Sequence, residues 1–87
     1  MPYDYQTEKP KLFTDEGQRL FLKIRDKVKR LLGAAGAFRL GNAMQNISGD
    51  GWTIIACVDR LVELDEIREL HRSVSVDGQD RVFIEHR

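Results

Sequence analysis

"DRLVELDEIREL", residues 59–70, changes its pattern midway without a break. Up to Leu64 the apolar residues keep helical spacing. From Ile67 they enter a stretch that alternates and runs to a β-turn signal, Asp77-Gly78, between β-branched runs. A helix that passes to a strand within about three residues is an uncommon join. The architecture that requires it decides the fold.

Upstream of the join, Gly51 to Leu64 reads as a helix, with Ser48 or Asp50 as its cap. Ile54, Cys57, Val58, Leu61 and Leu64 share one face, and Trp52, Ile55, Ala56, Asp59 and Glu63 the opposite one. "SGDG" (48–51) separates this helix from a shorter one over "AFRLGNAMQNI" (37–47), whose apolar set is Phe38, Leu40, Ala43, Met44 and Ile47. Before that lies the strongest helical pattern of the chain, from Thr14 to about Gly33. Thr14 suits an N-cap, and Asp15 and Glu16 in the first turn favour the helix dipole. Leu20, Phe21, Ile24, Val28, Leu31 and Leu32 form an amphipathic face. "GAAG" (33–36) supplies glycines that end a helix cheaply. Residues 1–11, with two prolines and no periodicity, read as a mobile arm, leaving 12–87 as one domain.

Downstream, a three-residue loop Asp77–Gly78–Gln79 would pair Val74 with Val82 and put Leu70, Val74, Val82 and Ile84 on one face. Phe83 then points the other way, and the pattern offers no reason for it. The expected core is Leu20, Ile24, Val28, Leu31, Ile54, Val58, Leu61 and Ile67.

The order of helix, helix, tight turn, helix, strand, turn, strand resembles the winged helix-turn-helix superfamily. "MQNISGDGWTIIACVDRLVELDEI" (44–67) is similar to the second helix, turn, recognition helix and exit of that superfamily. "LVELDEI" is similar to its Leu-x-x-(Gly/Asp)-x-Ile ending, with Val62 where that pattern has Leu, and Asp65 tolerates the left-handed backbone wanted there. The resemblance implies a small α+β fold, three helices followed by a two-stranded wing. It also implies a DNA-binding protein of the bacterial regulator type that places its third helix in the major groove. The join exists because that helix must deliver the chain straight to a small sheet.

The residues qualify the implication. The outward face of the third helix offers Trp52, Ile55, Ala56, Asp59 and Glu63, with Thr53 as the one helpful hydroxyl, so it is poorly equipped to read bases. Basic residues lie elsewhere: Arg19, Lys23, Lys27 and Arg30 in a stripe on the first helix, Arg39 on the second, Arg72 and Arg81 on the wing. Phosphate contacts from these would give salt-sensitive binding of double-stranded DNA with weak selectivity. Residues 9–39 hold nine Lys/Arg against three acids, whereas 40–87 hold five arginines against nine acids. That asymmetry suits either a polyanion contact or a self-complementary assembly. The second reading is therefore an association module, a homodimer or an accessory subunit, centred on Trp52, Ile55 and Ala56.

Other chemistry is sparse. The single cysteine, Cys57, excludes an intrachain disulfide and falls on the buried face of its helix. His71 and His86 lack a third ligand at metal spacing, and no Ser/His/Asp set or phosphate loop occurs. The "GAAG" spacing matches the G-x-x-G clamp of KH-type RNA modules, but no strand precedes the first helix. The sequence predicts no enzyme, no cofactor, no metal and no membrane span, and a cytoplasmic location.

Overall fold

The computed structural model describes residues 3–70 and 81–86. They form an α+β domain with four α-helices and a three-stranded antiparallel sheet. Helix α1 (Tyr5–Glu8) runs into a 3-10 segment (Lys9–Phe13), then come α2 (Asp15–Ala35), β1 (Ala37–Arg39), α3 (Leu40–Met44), α4 (Gly51–Glu63), β2 (Ile67–Leu70) and β3 (Val82–Glu85).

Local chemistry accounts for the ends of the two long helices. The Thr14 hydroxyl accepts the Gly17 N–H at 3.0 Å and caps α2, and Gly36, at φ 76°, closes it in the left-handed region. Asp50 caps α4 by accepting from the Thr53 N–H. At the far end Asp65 adopts φ 60°, and the Glu66 N–H returns to the Leu61 carbonyl at 3.0 Å. This left-handed residue lets α4 end at Glu63 and β2 begin at Ile67, with three residues between them.

The helix expected over 37–47 is instead a strand followed by a five-residue helix. Ala37, Phe38 and Arg39 pair with Ile84, Phe83 and Val82, and the Leu40 N–H donates to the Arg81 carbonyl at 2.8 Å. Three strand residues are too few to show a period of two, so only pairing with the distant β3 makes them extended. The sheet order is β1-β3-β2, with the C-terminal strand in the middle.

That third strand also explains Phe83. Phe38 and Phe83 are directly opposed and stack with centroids 5.2 Å apart, both buried, beside Ile67. The inward set is therefore Phe38, Ile67 and Phe83, not Leu70, Val82 and Ile84, which lie on the other side. Val82 pairs with Leu70 and Arg39, so the expected Val74–Val82 pairing does not hold. The register follows the aromatic pair, whose burial outweighs that of the half-covered Val82. The Asp77-Gly78 turn, Val74, His71 and Arg72 lie outside the described residues.

Of the expected core, Ile24, Val28, Ile54, Val58, Leu61 and Ile67 are buried, while Leu20 and Leu31 are half-buried. The core further takes in Leu12, Leu40, Ala43, Ala56 and Cys57. Leu12, 1% exposed, belongs to the segment that links the expected arm to α2. Residues 5–13 are folded against α2 and α4 rather than free of them. Gly17 permits this, because a Cβ there would stand 2.0 Å from the Lys11 carbonyl oxygen.

Two substitutions test the arrangement. Gly17→Ala, which in an open helix would stabilise, should here cost about 1–3 kcal/mol because backbone must move. Phe83→Ala should cost about 3–5 kcal/mol in urea unfolding. A Phe83 loss below about 1 kcal/mol would show that the sheet does not close the core.

Candidate functional site

Two surfaces carry the residues singled out by the sequence: the outward face of α4 and the solvent edge of α2. The inward face of α4 presents Ile54, Cys57, Val58 and Leu61 to the core. Trp52, Ile55, Asp59 and Glu63 remain on the outward side, and the N-terminal segment lies across it. The Tyr3 hydroxyl donates to Asp59 Oδ2 at 2.7 Å, and the Tyr5 hydroxyl donates to Glu63 Oε1 at 2.8 Å. Lys9 Nζ reaches Glu63 Oε2 at 2.8 Å. The Tyr3 ring stands edge-on to Trp52 with centroids 6.4 Å apart. Trp52 nevertheless keeps 39% of its surface exposed, and Ile55 is half-buried.

Ala56 is not part of an open face. It lies on the helical wheel among Trp52, Asp59, Arg60 and Glu63, and the segment bound to those side chains leaves it fully buried.

Electrostatics tighten this attachment. Glu63 has its carboxyl lowered from an ordinary 4.5 to about 2, by hydrogen bonds from Lys9 first, then Tyr5 and Arg60. Burial, and then the hydrogen bond to a carboxylate, hold both the Tyr3 and Tyr5 phenols above the ordinary tyrosine range. Asp59 has a second partner in Arg81. The Arg81 guanidinium forks onto Glu69 at 2.8 and 2.9 Å, reaches Asp59 Oδ1 at 2.8 Å and lies 5.2 Å from the Phe83 ring centre. The Glu69 hydrogen bonds, then the Asp59 contact, hold its charge firmly. Arg81 therefore clasps α4 to β2 and β3, which takes it out of the set available to phosphates.

The remaining sequence candidates divide as follows. Thr53 is occupied, its hydroxyl donating to Asp50 Oδ2 at 3.0 Å. Lys27 donates to the Gln45 carbonyl oxygen and so serves the end of α3. Arg72 lies outside the described residues. Arg19, Lys23 and Arg30 are exposed along α2, and Arg39 is exposed at the end of β1. None of these four makes an ion pair among the described residues. Arg19 and Lys23 border a cleft of about 440 Å³ whose far wall is Ser48, Gly49, Asp50 and Thr53. The N-terminal half of the stripe thus runs beside the turn that leads into α4.

Tyr3, Tyr5 and Lys9 are the site residues that sequence reading passes over. Their one local signal is two tyrosines spaced by one residue, ahead of a lysine, in a stretch otherwise poor in apolar groups. Elsewhere, burial pushes the Cys57 thiol up to about 12, so it stays protonated and inert. Among the described residues no group of three or more His, Cys, Asp or Glu side chains could hold a metal ion, and no helix is long and apolar enough to cross a membrane.

Compared with known proteins, the chain matches no family model, no curated protein and no solved structure.

The Glu63 shift makes a pH prediction. A lowered carboxyl pKa contributes attachment that is fully present above the ordinary value of 4.5 and is lost as pH falls through about 2. Carbon-detected NMR of the Glu63 carboxyl should give a midpoint near 2. A midpoint near 4.5 would show that the N-terminal segment does not hold it.

Proposed function

We propose that the chain is a winged helix-turn-helix domain that binds double-stranded DNA through its phosphates, with weak sequence selectivity. The order α2, β1, α3, α4, β2, β3 supports that class, with a short strand between the first two helices of the unit and a helix that passes directly into the sheet. The observation that carries the binding reading is the exposed stripe of Arg19, Lys23 and Arg30, whose first two members border the turn into α4. Cations placed so, with no carboxylate partner among the described residues, release counterions when they meet a polyanion.

Base reading by α4 has no part in this. Asp59 and Glu63 face outward there, Arg81 and Thr53 are engaged within the protein, and the N-terminal segment covers the helix. Selectivity is accordingly weak, because phosphate contacts position a protein without specifying a sequence. The role that fits is a small bacterial-type accessory regulator acting in the cytoplasm.

A second reading, a protein-association module, rests on a different observation. Phe13, Trp52 and Leu64 remain 57%, 39% and 42% exposed, which is much aromatic and aliphatic surface for so small a domain. In that reading Trp52 and Ile55 form the centre of the contact, with another copy or another protein across it.

Fluorescence anisotropy with a random-sequence duplex over a range of salt concentrations separates the two. Arg19→Ala, Lys23→Ala and Arg30→Ala should each lower the slope of log K against log salt by about 0.9. Arg81→Ala should lower stability and leave that slope alone. Absence of binding at low salt, or slopes unchanged in the stripe variants, would overturn the DNA reading.

A further inference from the structure

The N-terminal segment is held in two different ways along its length. Lys9–Phe13 is anchored by apolar packing: Leu12 is in the core, and the Lys11 carbonyl crosses α2 at Gly17 too closely for any side chain there. Just before it, the buried Glu8 carboxylate accepts from Lys11 Nζ at 2.8 Å. Residues 3–7 place no side chain among the fully buried core residues, though the half-buried Tyr3 and Tyr5 pack against its edge. Beyond that edge packing, their attachment to α4 is made by two phenol–carboxylate hydrogen bonds and the Tyr3 edge on Trp52, joined by the Lys9 ion pair at the boundary.

These contacts are of a kind that exchanges easily. Were Tyr3 to leave, Asp59 would still hold Arg81 at 2.8 Å. Were Tyr5 and Lys9 to leave, Glu63 would still hold Arg60 at 2.6 Å. Neither carboxylate would be stranded, so replacing one set of donors by another on this face is nearly neutral. Trp52 stays partly open even with the segment in place, which offers an incoming aromatic side chain a first contact.

We propose that the outward face of α4 is a docking surface for a short segment of another protein carrying aromatic side chains and a lysine or arginine, and that residues 3–9 occupy it in cis. The occupant on view defines the chemistry. Two phenols and an ammonium meet two carboxylates beside an indole, and a partner needs the same groups at similar spacing. The tethered segment holds the face at a high effective concentration, so a partner binds weakly until the tether is loosened.

The docking face rests on the association reading. The probe is a fluorescein-labelled peptide with the sequence of residues 1–11, titrated by anisotropy into the full-length chain. Tyr3→Ala/Tyr5→Ala should bind it about tenfold more tightly than wild type, since the cis occupant is loosened. Adding Asp59→Asn and Glu63→Gln should remove that binding, and Trp52 emission should shift to the blue as the peptide docks. If the alanine pair loses its helical circular dichroism, Tyr3→Phe/Tyr5→Phe/Lys9→Ala keeps both rings and carries the same comparison. Equal affinity for wild type and loosened variant, or no saturable binding by either, would overturn the proposal. A chain that self-associates through Trp52 in sedimentation, yet ignores the peptide, would overturn it as well and leave the association reading standing.

Discussion

The stack of Phe38 on Phe83 is the contact on which the other parts of this fold depend. It joins a residue just after the long helix to one four positions from the C-terminus, at 5.2 Å between ring centres. With both rings buried, the sheet acquires a third strand, β3 becomes its centre, and Ile67 comes down on the same side. The sheet serves the packed helices as a lid, with β1 against α2 and β2 against α4. Two aromatic side chains supply much of the apolar burial that an 87-residue chain must find without a disulfide.

Much of the helical layer is legible in the sequence because its causes are local. Thr14 with its acids, Gly36, Asp50 and the tolerant Asp65 each act within a few residues, and each is found where its side chain or backbone freedom is needed. The apolar faces of α2 and α4 follow from period alone. What escapes is set at a distance. Ala37-Phe38-Arg39 sits inside a plausible helical pattern and becomes a strand only because β3 arrives to pair with it. The N-terminal segment has no periodicity, and its order comes from the Leu12 anchor and from carboxylates more than fifty residues away.

The candidate site shows the same division. That α4 is a poor reader of bases is legible from residue types, since acids and an indole on a helix face announce themselves without coordinates. The covering of that face is not legible, because hydroxyl–carboxylate pairs across the fold leave no mark in local pattern. Ala56 illustrates the cost of wheel reasoning on its own: it is on the outward side of its helix and wholly enclosed. Arg81 illustrates another, since an arginine that looks free in sequence is spoken for by Glu69 and Asp59.

These internal pairings give the zero net charge its physical meaning. On the α4 and sheet side the charges close on one another, through Asp59 with Arg81, Glu69 with Arg81, Glu63 with Lys9 and Arg60, and Glu66 with Arg25. Such pairs contribute little field beyond their own neighbourhood, because opposite charges at contact distance cancel within a Debye length. Arg19, Lys23, Arg30 and Arg39 have no such partner among the described residues. A chain that is neutral by count therefore shows exposed cations without a carboxylate partner among the described residues on α2 and at the end of β1, while Asp59 and Glu63 of α4 are spent on holding the N-terminal segment, Arg60 and Arg81. The two faces are specialised by pairing rather than by composition: one carries charge to solvent, and the other keeps its charge bound in contacts that a competing donor can replace.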